Sequence, residues 1–393
     1  MQQDATVQGA QAAPPAAAEG AARPERIASV DILRGLVMAL MALDHTRDFF
    51  GTGGFNPRDV TEPALFLTRW ITHLCAPTFI FLAGLSAFLY GRGRSTGAVS
   101  WFLATRGLFL ILIDVTLIKF GWRFEADLFS LGAGAIFVIG ASMIALAVLI
   151  FLPRWGIAAV ALIMIVGHNL LDGIRAEQFG AFSLFWHLLH QPGKVALGAG
   201  VSAYVVYPLI PWVGVMAAGY ALGPLMQREP AERRRILLRL GAAITLGFVL
   251  LRASNLYGDP AAWGVQETWL STLLSFLNCE KYPPSLLYLM MTLGPALMGL
   301  AAFEPARGRF ADWLTVFGRV PFFFYVVHIY VIHALAVAAS LVLTGVLAPV
   351  SQLGFGLPVV YVVWALVLVL LYPLCRWFAA LKARRSEWWW SYV

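Results

Sequence analysis

Charge and cysteine are both scarce in this sequence. Only 12% of its 393 residues are charged, about half the usual share of a soluble domain, which argues against a soluble globular enzyme and a disordered chain. The three cysteines, Cys75, Cys279 and Cys375, have neither a disulfide framework nor metal-ligand spacing, so no metal is expected. The net charge of +7 does not indicate nucleic-acid binding, because the basic residues lie in short connections between apolar segments.

Apolar residues are abundant instead, at 60% of the chain. They form segments of about 20 residues, the length of a bilayer-spanning helix, rather than the short alternating stretches of a β-barrel. The sequence therefore predicts an all-α fold, a polytopic transmembrane helical bundle of about ten spans. The expected spans are approximately 30–50, 64–90, 99–118, 129–152, 155–172, 203–226, 236–253, 283–303, 313–340 and 355–378.

The predicted organisation is one membrane domain, residues 30–380, between two tails. Residues 1–29 are rich in Ala, Gln and Pro without an apolar run, which indicates a disordered tail, and residues 381–393 form a basic, aromatic tail. Lys and Arg are in excess in the connections on the side of the amino terminus, so both termini are expected in the cytoplasm. Two long connections, 173–202 and 254–282, contain aromatic and apolar residues and suggest interfacial or re-entrant pieces.

The depth distribution of ionisable residues inside the predicted spans is informative. Such residues are costly in a membrane, so each is a candidate site residue. Snorkelling of long side chains to the nearer headgroups is an alternative for each arginine, but it does not explain histidines on the opposite side. The arginines close to cytoplasmic ends are Arg34, Arg106, Arg239 and Arg319, and the histidines in the outer halves are His45, His73, His168, His328 and His333.

The first span carries the most specific pattern, with Arg34 and His45 separated by 45 − 34 = 11 residues. At about 100° per residue this spacing places both side chains on one helix face, about 16 Å apart along the axis. Asp31 lies three residues before Arg34 and can form an ion pair with it. Asp44 points about 100° away from His45, so it is not expected to orient the histidine ring.

This layout suits an acyl-coenzyme A donor. Arginine forks bind phosphates, so Arg34, with Arg106 and Arg319, is predicted to hold the coenzyme. The pantetheine arm is comparable in length to the Arg34–His45 spacing, which makes His45 a candidate general base or transient acyl carrier. The alternative for Arg34 and His45 is a buried polar pair that fixes helix packing.

Two further groups are candidates for supporting roles. Arg69 and His73 share a helix face, and His73 is a second acid/base or oxyanion donor, or forms a hydrogen bond to a neighbouring helix. His168 and Asn169 end the fifth span near Asp172, where they bind the acceptor or serve as ordinary helix-end polar residues. Asp31 and Asp44 complete the supporting set.

Several motifs along the chain resemble one family of membrane proteins, that named for the catalytic domain of heparan-alpha-glucosaminide N-acetyltransferase, in its bacterial branch. The stretches that carry the resemblance cover nearly the whole chain after the tail. They are Val30–Gly35 with Asp44-His45, Trp70–His73, Pro77–Gly84, Tyr207–Trp212, Lys281–Leu286 and Phe317–Pro321.

The resemblance implies a transmembrane acyltransferase of the bacterial cytoplasmic (inner) membrane. Such proteins move an acetyl group from cytoplasmic acetyl-CoA to a glycan or similar small-molecule acceptor on the extracytoplasmic side. The Arg34–His45 spacing is also similar to that of the acyltransferase-3 families, which implies a catalytic His45. The lysosomal enzyme instead has its active histidine in the loop that follows, and residues 51–64 contain none, so neither its mechanism nor a heparan substrate is implied.

Two other classes of function remain as alternatives. A proton-coupled secondary transporter of a small solute would use the histidines as proton relays. Transporters favour broken helices in corresponding halves, and Pro208 and Pro211 have no evident counterpart in the first half. A partner-dependent scaffold in envelope glycan assembly would tolerate substitution of Arg34 and His45. The sequence does not predict an oligomeric state.

Overall fold

The computed structural model describes residues 27–52, 59–126, 129–346, 353–385 and 387–392. This part of the chain forms fifteen α-helices and three short strands, so the predicted all-α membrane bundle is confirmed as the fold class. Residues 1–26 of the predicted amino-terminal tail lie outside the described residues.

The helices follow one another with short connections. In the first half they are α1 (Ala28–Phe50), α2 (Pro63–Thr72), α3 (Cys75–Tyr90), α4 (Thr96–Ile113), α5 (Lys119–Arg123), α6 (Ala135–Leu149), α7 (Arg154–Gly167) and α8 (Ser183–Leu189). In the second half they are α9 (Leu209–Leu222), α10 (Pro230–Ser254), α11 (Trp269–Leu277), α12 (Leu286–Ala302), α13 (Arg309–Arg319), α14 (Pro321–Thr344) and α15 (Leu357–Ala383). A π-helical turn, Asp114–Ile118, joins α4 to α5.

Seven helical stretches among the described residues are long and apolar enough to cross a membrane. Two shorter apolar helices, α6 and α12, accompany them, whereas α1 carries several charged residues along its length. The count of about ten spans therefore stays a prediction. The seven stretches are Pro63–Tyr90, Thr96–Arg123, Arg154–Leu171, Leu209–Gln227, Pro230–Ser254, Pro321–Thr344 and Leu357–Ala383.

A small sheet replaces helix at two of the predicted span boundaries. Strand β1 (Ser130–Ala133) pairs in parallel with β3 (Val201–Val205), and β2 (Gly193–Gly198) pairs antiparallel with β3. The predicted spans 129–152 and 203–226 thus each begin with a strand, and their helices start later. The prediction was wrong there because an apolar run of a few residues does not by itself distinguish a strand from a helix.

Two other predicted spans are each divided into two helices by proline. Pro321 begins α14 directly after α13. Pro77 lacks the backbone N–H that would bond to the carbonyl of His73, and the helix is interrupted between α2 and α3. The Tyr288 hydroxyl on α12 donates to the freed His73 carbonyl at 3.0 Å. The break is therefore stabilised from the neighbouring helix.

Helix α1 crosses α13 at an unusually close approach through two glycines. A Cβ atom added to Gly35 would lie 1.9 Å from the Leu314 carbonyl oxygen, and one added to Gly318 would lie 1.8 Å from the Asp31 carbonyl oxygen. Only glycine at both positions permits this contact between backbones. The crossing also places the Gly318 carbonyl beside Arg34.

Replacing Gly318 by alanine should force α1 and α13 apart. We expect the free energy of unfolding to fall by about 1–3 kcal/mol, the usual cost of overpacking, with a lower melting temperature in detergent. Gly97→Ala is the matched control, because nothing lies within 4 Å of a Cβ at that exposed helical site. Equal melting temperatures for the two variants would contradict the proposed role of the close approach.

Candidate active site

One end of the candidate site is built around Arg34 of α1. Arg34 Nη1 donates to Asp31 Oδ1 at 3.1 Å, as the spacing of the two residues predicts, and to the Gly318 carbonyl at 3.2 Å. Its Nη2 donates to Ser86 Oγ of α3 at 2.8 Å. The side chain is only 16% exposed. Groups from three helices thus hold this guanidinium inside the bundle rather than against lipid.

Arg106 lies at the same end, on α4. Its positive charge is close enough to interact with that of Arg34, and its guanidinium carbon lies 5.8 Å from the centroid of the Phe102 ring. Within the described ranges its Nε is buried without a hydrogen-bond partner. Arg319 ends α13 next to Gly318, but its side chain is exposed. The structure therefore brings Arg34 and Arg106 together and leaves Arg319 at the surface.

A cavity of about 220 Å³ opens between the ends of α3, α4 and α9. It is lined by Arg92, Arg94, Tyr220 and Gln227 among others, and neither Arg34 nor Arg106 is among its described lining residues. The cavity is thus not a passage along α1.

The other end of the site is a pair of histidines, His45 of α1 and His328 of α14. His45 Nδ1 lies 2.7 Å from His328 Nε2, and the two rings are stacked with centroids 4.9 Å apart. His328 is fully buried, and the Trp122 ring contacts His45 edge-on at 4.8 Å. His45 thus points into the bundle, toward a partner 283 residues away in the sequence.

The hydrogen bonds of His328 determine which nitrogen of His45 is basic. His328 Nδ1 lies 3.0 Å from the Phe324 carbonyl oxygen, which only accepts, so this nitrogen carries the proton. In the neutral ring His328 Nε2 is then an acceptor, and His45 Nδ1–H donates to it. The Nε2 of His45 keeps its lone pair, and none of the described residues donates to it. This is the tautomer that a general base needs.

Asp44 serves a different partner, as its direction on the helix predicts. The Nη1 of Arg69 on α2 lies 2.7 Å and 2.6 Å from its two carboxylate oxygens. Arg47 Nη2 lies 2.9 Å from Oδ1 of the same carboxylate. Asp44 and Arg69 therefore join α1 to α2, and Asp44 does not orient the His45 ring.

His73 caps the carboxyl end of α2 beside a buried lysine that the sequence analysis did not select. The His73 ring lies 5.2 Å from the Tyr288 ring, and in the part of the chain described its Nδ1 is buried without a partner. Lys281 is 8% exposed, and its charge acts on His73, Asp44 and His45. The structure does not place His73 in hydrogen-bonding contact with His45. Both residues belong to one cluster of charged groups that includes Asp44 and Lys281.

Lys281 also acts on its neighbour in the sequence, Tyr282. Its Nζ lies 5.2 Å from the centroid of the Tyr282 ring. Burial raises the pKa of the Tyr282 phenol, but the positive charges of Lys281 and Arg69 outweigh burial and lower the pKa below its ordinary value. From the sequence alone Lys281 is visible only as an isolated lysine in an apolar context, which is a weak signal for a buried cation.

His168 and Asn169 are used to attach the end of α7 to the start of α12. His168 Nε2 lies 2.8 Å from the Pro284 carbonyl oxygen, and Asn169 Oδ1 accepts from the Leu286 backbone N–H at 2.9 Å. Asn169 also donates to Asp172 at 3.0 Å. Partial burial raises the pKa of Asp172, but hydrogen bonds from His190 and Asn169 lower it below its ordinary value. These contacts support the packing of α7 against α12.

The two histidines of α14 have separate surroundings, as the angle of about 140° between them predicts. His333 Nδ1 lies 2.9 Å from the Gly121 carbonyl oxygen, and its ring stacks on Phe124 at 3.8 Å. Of these two histidines, only His328 contacts His45. Among the described residues no group of three His, Cys, Asp or Glu side chains could hold a metal ion.

These features define a multi-pass helical membrane protein in which one helix, α1, carries the hydrogen-bonded Arg34 toward one end and the His45–His328 pair toward the other. The chain belongs to the family described as heparan-alpha-glucosaminide N-acetyltransferase, catalytic, whose model matches residues 26–254. The family resemblance predicted from the sequence is thus confirmed, and the family is one of membrane acyltransferases of the acetyltransferase type. No curated protein matches the chain.

The family match covers only part of the candidate site. Arg34, His45, His73 and Arg106 lie within residues 26–254, whereas Lys281 and the helix α14 that carries His328 lie beyond them. The matched part therefore contains both the arginine pair and the proposed base.

Proposed function

We propose that this protein transfers an acetyl group from cytoplasmic acetyl-CoA to a hydroxyl or amine of a glycan or similar acceptor on the extracytoplasmic side of a bacterial inner membrane. In this proposal both termini are cytoplasmic and the Arg34 end of α1 faces the cytoplasm. The family assignment supports acyl transfer, and the distribution of basic residues supports the orientation.

The observation that carries the proposal is the continuity of α1 between its two functional ends. Arg34 and His45 lie on one unbroken helix, Ala28–Phe50, about 16 Å apart along its axis. Both make side-chain contacts with other helices inside the bundle. A donor bound by its phosphates at Arg34 would have a pantetheine arm long enough to approach His45.

The arginine end fits a phosphate-bearing donor. Asp31 compensates the charge of Arg34, but no described carboxylate forms an ion pair with Arg106. A buried cation without a counter-charge is costly, and an incoming phosphate would supply both the charge and the hydrogen-bond acceptors. Arg34 and Arg106 are thus the residues that we assign to the coenzyme, with Arg319 as a surface contact.

The histidine end supplies the proton transfer. His45 Nε2 takes the proton from the acceptor hydroxyl or amine, and the acceptor oxygen or nitrogen attacks the thioester carbonyl carbon. The carbon–sulfur bond then breaks, and the imidazolium of His45 returns the proton to the departing sulfur. In this proposal His73 and Lys281, whose charge acts on His73, face the acceptor and stabilise the developing negative charge.

Acetyl transfer across the membrane provides the direct test. The purified full chain is reconstituted in vesicles with labelled acetyl-CoA inside or outside and a mixture of amino sugars and sugars on the opposite side. We expect labelled sugar only in the orientation in which the donor reaches the Arg34 end. Label in neither orientation, together with flux of a solute, would favour the transporter alternative.

Donor binding has its own prediction at Arg106. We expect CoA at 100 times its dissociation constant to stabilise the wild-type protein by about 2.7 kcal/mol, and Arg106→Gln to weaken CoA binding about tenfold or more. Thermal denaturation against CoA concentration measures both. Arg309→Gln, an exposed arginine at the start of α13, is the control. If Arg106→Gln and Arg309→Gln bind CoA equally well, Arg106 is not a donor ligand.

A further inference from the structure

The carboxyl-terminal segment, residues 387–392, returns to the arginine end of the site. It forms a 3-10 turn, Trp388–Ser391, after α15 ends. The Tyr392 hydroxyl lies 2.6 Å from Thr105 Oγ1 on α4, and Thr105 directly precedes Arg106. The last described residue is thus hydrogen-bonded beside a residue that we assign to the donor.

Aromatic packing holds the segment in this position. The Tyr392 ring contacts Phe102 and Phe109 of α4 edge-on, with centroid distances of 5.7 Å and 5.9 Å. The Trp390 ring lies 5.7 Å from Phe378 of α15. The segment therefore joins α4 to α15, two helices that are otherwise distant in the sequence.

Two indoles of the same segment remain largely exposed, although Trp388 contacts the Tyr392 ring edge-on at 5.6 Å and Trp389 stacks on Trp390 at 4.5 Å. Trp388 is 75% exposed and Trp389 is 47% exposed. Tryptophan is enriched at the headgroup level of membranes, where its apolar ring and its N–H are both accommodated. These two residues would anchor the segment to the lipid surface while Tyr392 faces the protein.

Tyr392 is also an electrostatic neighbour of Arg106. The two side chains are close enough to interact, and the Arg106 Nε is buried and without a hydrogen-bond partner among the described residues. The guanidinium carbon lies 5.8 Å from the Phe102 ring centroid, and the buried Nε–H is a donor that a ligand could use. Removing Tyr392 would remove part of the surroundings of this guanidinium.

We propose that residues 387–392 form one wall of the donor site and that Tyr392 positions Arg106 for the phosphates of coenzyme A. This inference rests on the proposed function. Tyr392 acts through Arg106 and through α4, so it is a positioning residue. A pre-ordered guanidinium loses less freedom when the ligand binds, and the gain appears as donor affinity rather than as a faster chemical step.

The test compares the full chain with a chain that ends at Arg385 and with Tyr392→Phe, which removes the hydroxyl and keeps the ring. CoA is the probe, and thermal denaturation against CoA concentration gives its dissociation constant. We expect the dissociation constant to rise about tenfold on truncation and severalfold for Tyr392→Phe. In the transfer assay KM for acetyl-CoA should rise, with kcat at saturating donor unchanged.

Tyr204→Ala, an exposed tyrosine on β3, is the control and should bind CoA as the wild type does. If the truncated chain does not fold, Tyr392→Phe decides alone. Unchanged CoA affinity in Tyr392→Phe and the truncated chain, tighter binding after truncation, or a lower kcat with unchanged KM would each overturn the inference. Absence of CoA binding by the wild type would instead overturn the proposed function.

Discussion

Replacing His45 by alanine is expected to lower acetyl transfer by about 100-fold or more, the usual contribution of a positioned general base. The physical reason is that Nε2 of His45 has its lone pair directed away from the hydrogen bond to His328 and is free to accept the acceptor proton. Transfer from labelled acetyl-CoA, normalised to folded protein, measures the effect. CoA affinity should not change, because the arginine end lies about 16 Å away.

Wild-type transfer by the His45→Ala variant would remove this residue from the mechanism. The same material distinguishes a base from an acyl carrier. A base leaves no label on the wild-type protein when acetyl-CoA is supplied without acceptor and the protein is then denatured. Label that depends on His45 would show the transient acyl-histidine instead.

Replacing His328 by leucine is expected to produce the second largest loss, about 10- to 100-fold in kcat with little change in KM for acetyl-CoA. Leucine removes the acceptor for His45 Nδ1–H, so the imidazole loses both its tautomer control and its orientation. Steady-state kinetics on the reconstituted protein separate kcat from KM. An increase in KM for acetyl-CoA with kcat unchanged would contradict a role in positioning the base.

His328→Gln is the conservative variant, because its side-chain amide oxygen can accept the same hydrogen bond. It should recover part of the activity that leucine loses. His333→Gln is the matched control on the same helix, since its ring contacts Phe124 and the Gly121 carbonyl rather than His45. If glutamine and leucine at position 328 are equally inactive, the hydrogen bond is not what His328 contributes.

The local features of α1 could be predicted because they depend on residues close in the sequence. The Asp31–Arg34 ion pair has i,i+3 spacing, and helical geometry alone places Asp44 away from the His45 ring. Each of these conclusions needs only the helix period and the chemistry of one or two side chains.

The partners of the same residues could not be predicted in this way. His328 reaches His45, and Gly318 reaches Arg34, only because α14 and α13 pack against α1. The sequence identified His328 as a candidate but offered no means of choosing it over His333 as the neighbour of His45. Hydrogen bonds between residues some 283 positions apart depend on helix packing, which the period of one helix does not encode.

Composition and periodicity by themselves determined that this is a helical membrane protein, and helical spacing placed Arg34 and His45 on one face of α1. Tertiary structure decided which polar side chains come together: the charge of Arg34 acts on Arg106 while Arg319 stays exposed, and His45 pairs with His328 while His168 attaches α7 to α12. The physical reason is the difference between local and long-range interactions. Burying apolar helices in a bilayer depends on each segment alone, whereas the match between two polar groups depends on where close glycine contacts and proline breaks allow the helices to meet.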